Sequence, residues 1–142
     1  MDVLFHLAFP VHDINLAKTF YVEQLGCQLG RESEQALILN FASHQIVAHK
    51  IDFLPEEQKS IYPRHFGLVF LDKTEFIAFI EALEKRGMNF EIPLKIRFAD
   101  TRLEHHTFFL KDPSNNLLEF KYYRYQSAIF GEKNFKKIGE SI

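Results

Sequence analysis

A chain of 142 residues with 46% apolar and 25% charged content has the size and balance of one soluble globule with a substantial core. Its formal net charge of -2 and scattered basic residues exclude the concentrated positive stripe of a nucleic-acid binder. No run of about 18 apolar residues is present, and the lone Cys27 allows neither an internal disulfide nor a thiolate zinc motif, so a cytoplasmic protein with no membrane partner is expected.

Residues 3–9 read as a strand, closed by Pro10, with Asp13 placed to cap a helix. Leu16, Ala17, Phe20, Tyr21 and Leu25 then recur at helical spacing, and Gly26 stops the helix. Residues 36–41 and 44–51 are further strand candidates about a Ser43-His44 turn, and 52–64, with Pro55, Pro63 and charges, is a connector. The second half restarts the pattern: 65–70 as a strand, 72–86 as an amphipathic helix capped by Asp72 or Thr74 and ended by Gly87, then 90–98 as a strand. Residues 106–110 and 116–123 form a hairpin about Asp112-Pro113-Ser114-Asn115-Asn116, whose Pro presets φ and whose Asn residues tolerate the left-handed region. The tail, 126–142, mixes Ile129, Phe130, Phe135 and Ile138 with Lys and Gly, and no single structure follows from it.

The echo has a register. His6 to Asp13 and His65 to Asp72 are each seven positions, and Phe20 and Phe79 each lie fourteen after their histidine. We read a duplicated strand–helix–strand–strand–strand unit: module 1 over about 1–52, a connector at 53–63, module 2 over 64–125, within one domain. The fold class is α+β, two βαβββ modules forming a curled mixed sheet, a cup with the helices on its convex face.

Alternation sets which side chains enter that cup. Phe5, Leu7 and Phe9 would face the helix, turning Leu4, His6 and Ala8 inward; Phe66, Leu68 and Phe70 likewise turn His65 inward. Ile46 and Ala48 suit the helix side, which aims Gln45, Val47 and His49 at the cup. On the last strand Leu118, Phe120 and Tyr122 share one face and Glu119, Lys121 and Tyr123 the other; Lys121 and Tyr123 either line the mouth or stand in water. Two imidazoles and a carboxylate from three strands, His6, His65 and Glu119, make the donor set that holds a non-haem Fe(II) with adjacent positions open; Mn(II), Zn(II) or Ni(II) accept the same ligands. A lone Glu on a strand is usually solvated, and His12 and His44 read as surface or turn residues. The trio differs because its members are remote in sequence and occupy equivalent strands.

The segments 5–13 with Phe20-Tyr21 and Leu25-Gly26, 64–70, and 108–119 resemble the vicinal oxygen chelate superfamily, which contains glyoxalase I, fosfomycin and bleomycin resistance proteins and extradiol dioxygenases. The resemblance implies metal positions at His6, His65 and Glu119, with a fourth near Val47. Glyoxalase I carries Glu or Gln there; Val47 cannot ligate, so four ligands would require Gln45 to shift. Extradiol enzymes use two His and one Glu with an acid–base histidine, which His49 resembles, and a Tyr where this chain has Phe109, so that His105 or His106 would have to supply the missing donor. The resemblance therefore implies an extradiol dioxygenase-like enzyme opening a small vicinal aromatic diol with O2, in which His49 is catalytic and Gln45, Phe109, His106 and Tyr123 contact substrate. The alternatives are a glyoxalase- or fosfomycin-type lyase, isomerase or transferase with a non-redox ion, and a metal-free protein that sequesters a flat molecule. An exposed sheet edge in each module fits a homodimer.

Overall fold

The first strand, β1 (His6–Val11), starts later than alternation suggests and runs through Pro10 instead of stopping before it. Pro10 is accommodated because β1 is an edge strand, where a missing N–H breaks no interior ladder. Asp13 then caps α1 (Ile14–Lys18), its carboxylate accepting from the Leu16 N–H at 2.9 Å. The chain next widens into a π-helical turn, Thr19–Gln24, closed by the Leu25 N–H on the Phe20 carbonyl at 2.8 Å. Both of the adjacent rings Phe20 and Tyr21 are buried there. Gly26, at φ 93°, ends the helix in the left-handed region.

Three strands follow: β2 (Gln28–Glu32), β3 (Ala36–Phe41) and β4 (His44–Lys50). Ala42 and Ser43 both take positive φ, the backbone of a tight hairpin turn, and the Ser43 N–H is held by the Asn40 side chain at 2.8 Å. The sheet order is β1-β4-β3-β2, with β1 parallel to β4 and the other pairs antiparallel.

The computed structural model describes residues 1–139. It resolves into two units, 1–58 with 112–116, and 59–111 with the chain from Leu117 onward. The second unit contains β5 (Phe66–Phe70), α2 (Lys73–Lys85), β6 (Ile92–Arg97), β7 (His105–Lys111), β8 (Leu117–Tyr123) and a short α3 (Ser127–Phe130), its sheet ordered β5-β8-β7-β6. It repeats the first sheet strand for strand, β5 parallel to β8 as β1 is to β4. The fold is therefore α+β with two βαβββ modules. Residues 140–142 of the tail lie outside the described residues.

α2 is capped by Asp72, which accepts from the Glu75 N–H at 3.1 Å, and ends at Gly87 with φ 73°. Phe76, Ile80 and Leu83 bury one helical face. Phenyl rings join it to the sheet: Phe70 meets Phe76 edge-on at 5.4 Å, Phe79 lies tilted against Phe120 at 5.0 Å, and Phe108 stacks on Phe120 at 5.3 Å between centroids. Phe70, Phe76, Phe79, Phe108 and Phe120 thus fill the space between α2 and its sheet.

In the first unit the 112–116 turn is centred on Asp112. Its carboxylate accepts from the Ser114 and Asn116 N–H groups at 2.8 and 2.9 Å and from the Tyr21 hydroxyl at 2.6 Å. Burial pushes the Asp112 carboxyl up, partly offset by these donors, and burial with the Asp112 charge pushes the Tyr21 phenol well up. Tyr21→Phe leaves a buried carboxylate one donor short and should cost about 1–3 kcal/mol in a denaturant titration, with the slope unchanged. Cys27 is buried, and desolvation lifts its thiol to about 12, so it is no nucleophile. Among the described residues no helix is long and apolar enough to cross a membrane.

Candidate functional site

Glu119 lies on β8 between β5 and β7, 8% exposed. Alternation from Glu119 carries Lys121 and Tyr123 to the same face, and the ladder aligns Glu119, Lys121 and Tyr123 with Phe109, Thr107 and His105 of β7. Arg97 of β6 pairs in turn with His105. On the other side Gly67 stands opposite Glu119, and a Cβ at Gly67 would fall on the Glu119 carbonyl. Only glycine permits the strands to approach this closely.

His65, just before β5, points its Nε2 at Glu119 Oε1 across 3.3 Å. Its Nδ1 lies 2.7 Å from the Ile61 carbonyl, an oxygen that can only accept, so Nδ1 carries the ring proton. A neutral His65 therefore turns a lone pair toward a carboxylate, an arrangement that calls for a proton or a metal ion between them. The other carboxylate oxygen is fixed by the Thr107 hydroxyl at 2.6 Å, and Lys121 Nζ is 3.6 Å from Oε1. The hydrogen bond to Glu119 raises the His65 pKa against the opposing effect of burial. Burial alone would raise Glu119, but His65, Lys121 and Thr107 outweigh it and bring the carboxyl down to about 2.

In the first unit His6 shows a similar arrangement. Its Nδ1 lies 2.8 Å from Gln45 Oε1, its neighbour in the β1–β4 ladder, which leaves Nε2 free. An imidazole whose Nδ1 is held by an oxygen acceptor and whose Nε2 is open is the usual form of a metal-ligating histidine. His6, His65 and Glu119 thus have the right donor chemistry. Among the described residues no group of three or more His, Cys, Asp or Glu side chains that could hold an ion is found; within the second unit His65 and Glu119 face one another, and His6 belongs to the first unit. Val47 is buried, and Gln45 is engaged with His6. His49 is exposed on β4, opposite Pro10 and Ala36.

A cavity of about 580 Å³ in the second unit is lined by His65, Glu119, Lys121, Tyr123, His105 and Arg97, among others. Its far wall is the tail from Ala128 to Gly139, which gives a place to a segment left without a structure in the sequence. Lys121 and Tyr123 line this cavity and do not stand on a sheet edge in water. Phe109 is fully buried, its ring edge-on to His65 at 5.2 Å. Of the two donors left open in the sequence, His105 lines the cavity, whereas His106 is on the opposite face of β7, beside Tyr122 at 6.3 Å. Burial lowers the His105 pKa, opposed by the bond from its Nδ1 to the Leu103 carbonyl at 3.0 Å. Sequence reasoning missed Arg97 and Thr107. Counting back by twos from Phe109 reaches Thr107 and His105, whereas a register shift in β6 between Ile92 and Lys95 hides Arg97 from any such count.

The model of the glyoxalase/bleomycin resistance protein/dioxygenase superfamily matches residues 3–120. The chain belongs to this superfamily. A glyoxalase/bleomycin resistance protein/dioxygenase from Alicyclobacillus acidocaldarius is 44% identical, with 91% of this chain and 97% of that one covered at a TM-score of 0.86. Two further solved structures share the fold at lower identity. Lactoylglutathione lyase from Agrobacterium tumefaciens is 15% identical, covering 92% and 98% at a TM-score of 0.64. The E126Q mutant of the fosfomycin resistance protein FosX from Listeria monocytogenes, complexed with Mn(II) and 1S,2S-dihydroxypropylphosphonic acid, is 18% identical, covering 92% and 97% at a TM-score of 0.66. Among curated proteins, none matches the chain.

Proposed function

We propose that this superfamily member is a metal-dependent enzyme in which His6, His65 and Glu119 hold one divalent ion, and that it acts on a small substrate presenting two adjacent oxygens. The observation that carries this reading is the His65–Glu119 pair, with Nε2 and Oε1 facing at 3.3 Å while Ile61 and Thr107 hold their outer atoms. The FosX mutant with Mn(II) shares the fold and is in keeping with an ion in this one. A homodimer suits the unpaired outer edges of β1 and β5.

Within that reading we place first the extradiol dioxygenase-like reaction, in which His6, His65 and Glu119 would hold Fe(II) and a vicinal aromatic diol and O2 would be the reactants. When bound, the ion would supply Lewis-acid charge to a substrate oxygen and, as Fe(II), electrons for O2. His105 is a candidate acceptor for the proton released from a substrate hydroxyl: it lines the cavity with His65 and Glu119, and its Nδ1 is held by the Leu103 carbonyl, which leaves Nε2 as the accepting atom. Thr107 and Lys121 hold Glu119 ionised and fix its orientation. His49 is the other candidate for the proton, and kinetics of His105→Gln against His49→Gln separate the two. A second reading, a lyase, isomerase or transferase with Mn(II), Zn(II) or Ni(II), is favoured by Phe109, which puts a buried phenyl ring where the dioxygenases carry a phenol.

Anaerobic purification with metal analysis, followed by a catechol panel with O2, tests this. One equivalent of iron and a yellow ring-opened product are expected, with both lost in His65→Ala and Glu119→Ala. Another stoichiometric metal without ring opening selects the second reading. A folded protein that binds no divalent ion overturns both.

A further inference from the structure

Arg97 is a cation 3% exposed to solvent, and its Nε has no hydrogen-bond partner. Among the described residues its side chain makes no ion pair; its guanidinium carbon lies 6.0 Å from the centre of the Phe109 ring. Taking an arginine out of water without an anion is costly, and a role in packing alone would be served better by an apolar side chain. Two carboxylates in the same unit are already engaged: Glu119 by His65, Lys121 and Thr107, and Glu104 by the Asp100 N–H and Arg124. Arg97 nevertheless lines the cavity that contains the His65–Glu119 pair, as does Lys121, whose side chain is 27% exposed. His105, between them in the ladder, experiences the positive charge of both.

We propose that Arg97 and Lys121 bind an anionic oxygen group, a carboxylate or a phosphoryl group, on the molecule that occupies this cavity. The proposal rests on the reading of the cavity as the substrate site and adds the substrate class: a small acid in place of a neutral diol. A planar guanidinium offers two parallel N–H donors to such a group, and a lysine adds a point charge from a second strand. The volume of about 580 Å³ leaves room for a compact substrate beside His65 and Glu119.

The Arg97 Nε–H is shielded from solvent, so its resonance is observable in ¹⁵N-labelled protein. It is assigned by its loss in Arg97→Lys or, should that variant not fold, by connectivity to the Arg97 backbone amide. Titration with inorganic phosphate and separately with acetate, against sodium chloride at matched ionic strength, is expected to give a saturable shift with at least one of the two oxyanions and none with chloride. A response to phosphate alone assigns the phosphoryl class, and a response to acetate alone the carboxylate class. Lys121→Gln should weaken the binding by about 10- to 100-fold. Glu119→Gln should preserve or strengthen it, so failure of the metal proposal leaves this result standing. No saturable shift with either oxyanion, an equal shift with chloride, or undiminished affinity in Lys121→Gln overturns the proposal.

Discussion

Glu119→Gln is expected to weaken divalent-ion binding by more than about 100-fold and to remove activity with it, while the protein remains folded. Loss of a group that merely orients a ligand costs roughly 10–100-fold in metal affinity, and Glu119 is proposed as a ligand itself. The substitution keeps the volume and leaves Thr107 an oxygen to donate to, so circular dichroism should be unchanged. Isothermal titration with Mn(II) or Zn(II) measures the loss, and Lys121→Gln, which keeps the carboxylate, should retain the ion. Wild-type affinity in Glu119→Gln would remove the carboxylate from the proposed donor set.

The same pair predicts a pH profile. The His65 pKa is raised in the fold, so its contribution to stability is complete below the usual imidazole value of 6.5 and is lost as pH climbs through the raised value. Glu119 is depressed to about 2 from 4.5, so its contribution is present above 4.5 and is lost as pH falls toward 2. The ion-free protein should therefore draw the most from this pair between about pH 4.5 and 6.5. Ion affinity should increase with pH through the His65 titration, because the ion replaces the proton on Nε2. Thermal melts across pH, with and without ion, check both slopes, and Glu119→Gln should flatten them.

Phe120→Ala is expected to carry the largest stability cost, about 3–5 kcal/mol. Phe120 is fully buried on the face of β8 opposite Glu119 and contacts the rings of Phe79 and Phe108 at 5.0 and 5.3 Å. Truncation empties a ring-sized space between α2 and the sheet, and neither side can collapse onto it without moving a strand. Denaturant titration measures the change; a loss below about 1 kcal/mol would show that the rings repack freely.

Much of the architecture could be read from local chemistry. Asp13 and Asp72 cap helices, Gly26 and Gly87 end them in the left-handed region, and the repeat between the halves appears as two sheets of matching order. Alternation placed Glu119 on the face opposite Phe120 and Tyr122. β2 was not recognised because Gln28-Leu29-Gly30-Arg31-Glu32 has neither alternation nor β-branched residues and gains its strand character from pairing with β3. The π-helical turn also left no mark, since its spacing differs from an α-helix by one residue. In the site, His65 and Glu119 come together, and Lys121, which alternation left open between the mouth and water, joins them. His105 and His106, both left open as donors, fall on opposite faces of β7, and Arg97 lay beyond a register shift that alternation cannot cross.

Position 67 has one more implication. Because the backbone at Glu119 occupies the volume a side chain there would need, even a methyl group at Gly67 would shove the carboxylate-bearing segment sideways. A saturation screen for catalysis would accordingly flag this residue as indispensable although it offers no functional group, and a designer regrafting the site onto another scaffold would have to transplant that bare spot along with the ligands.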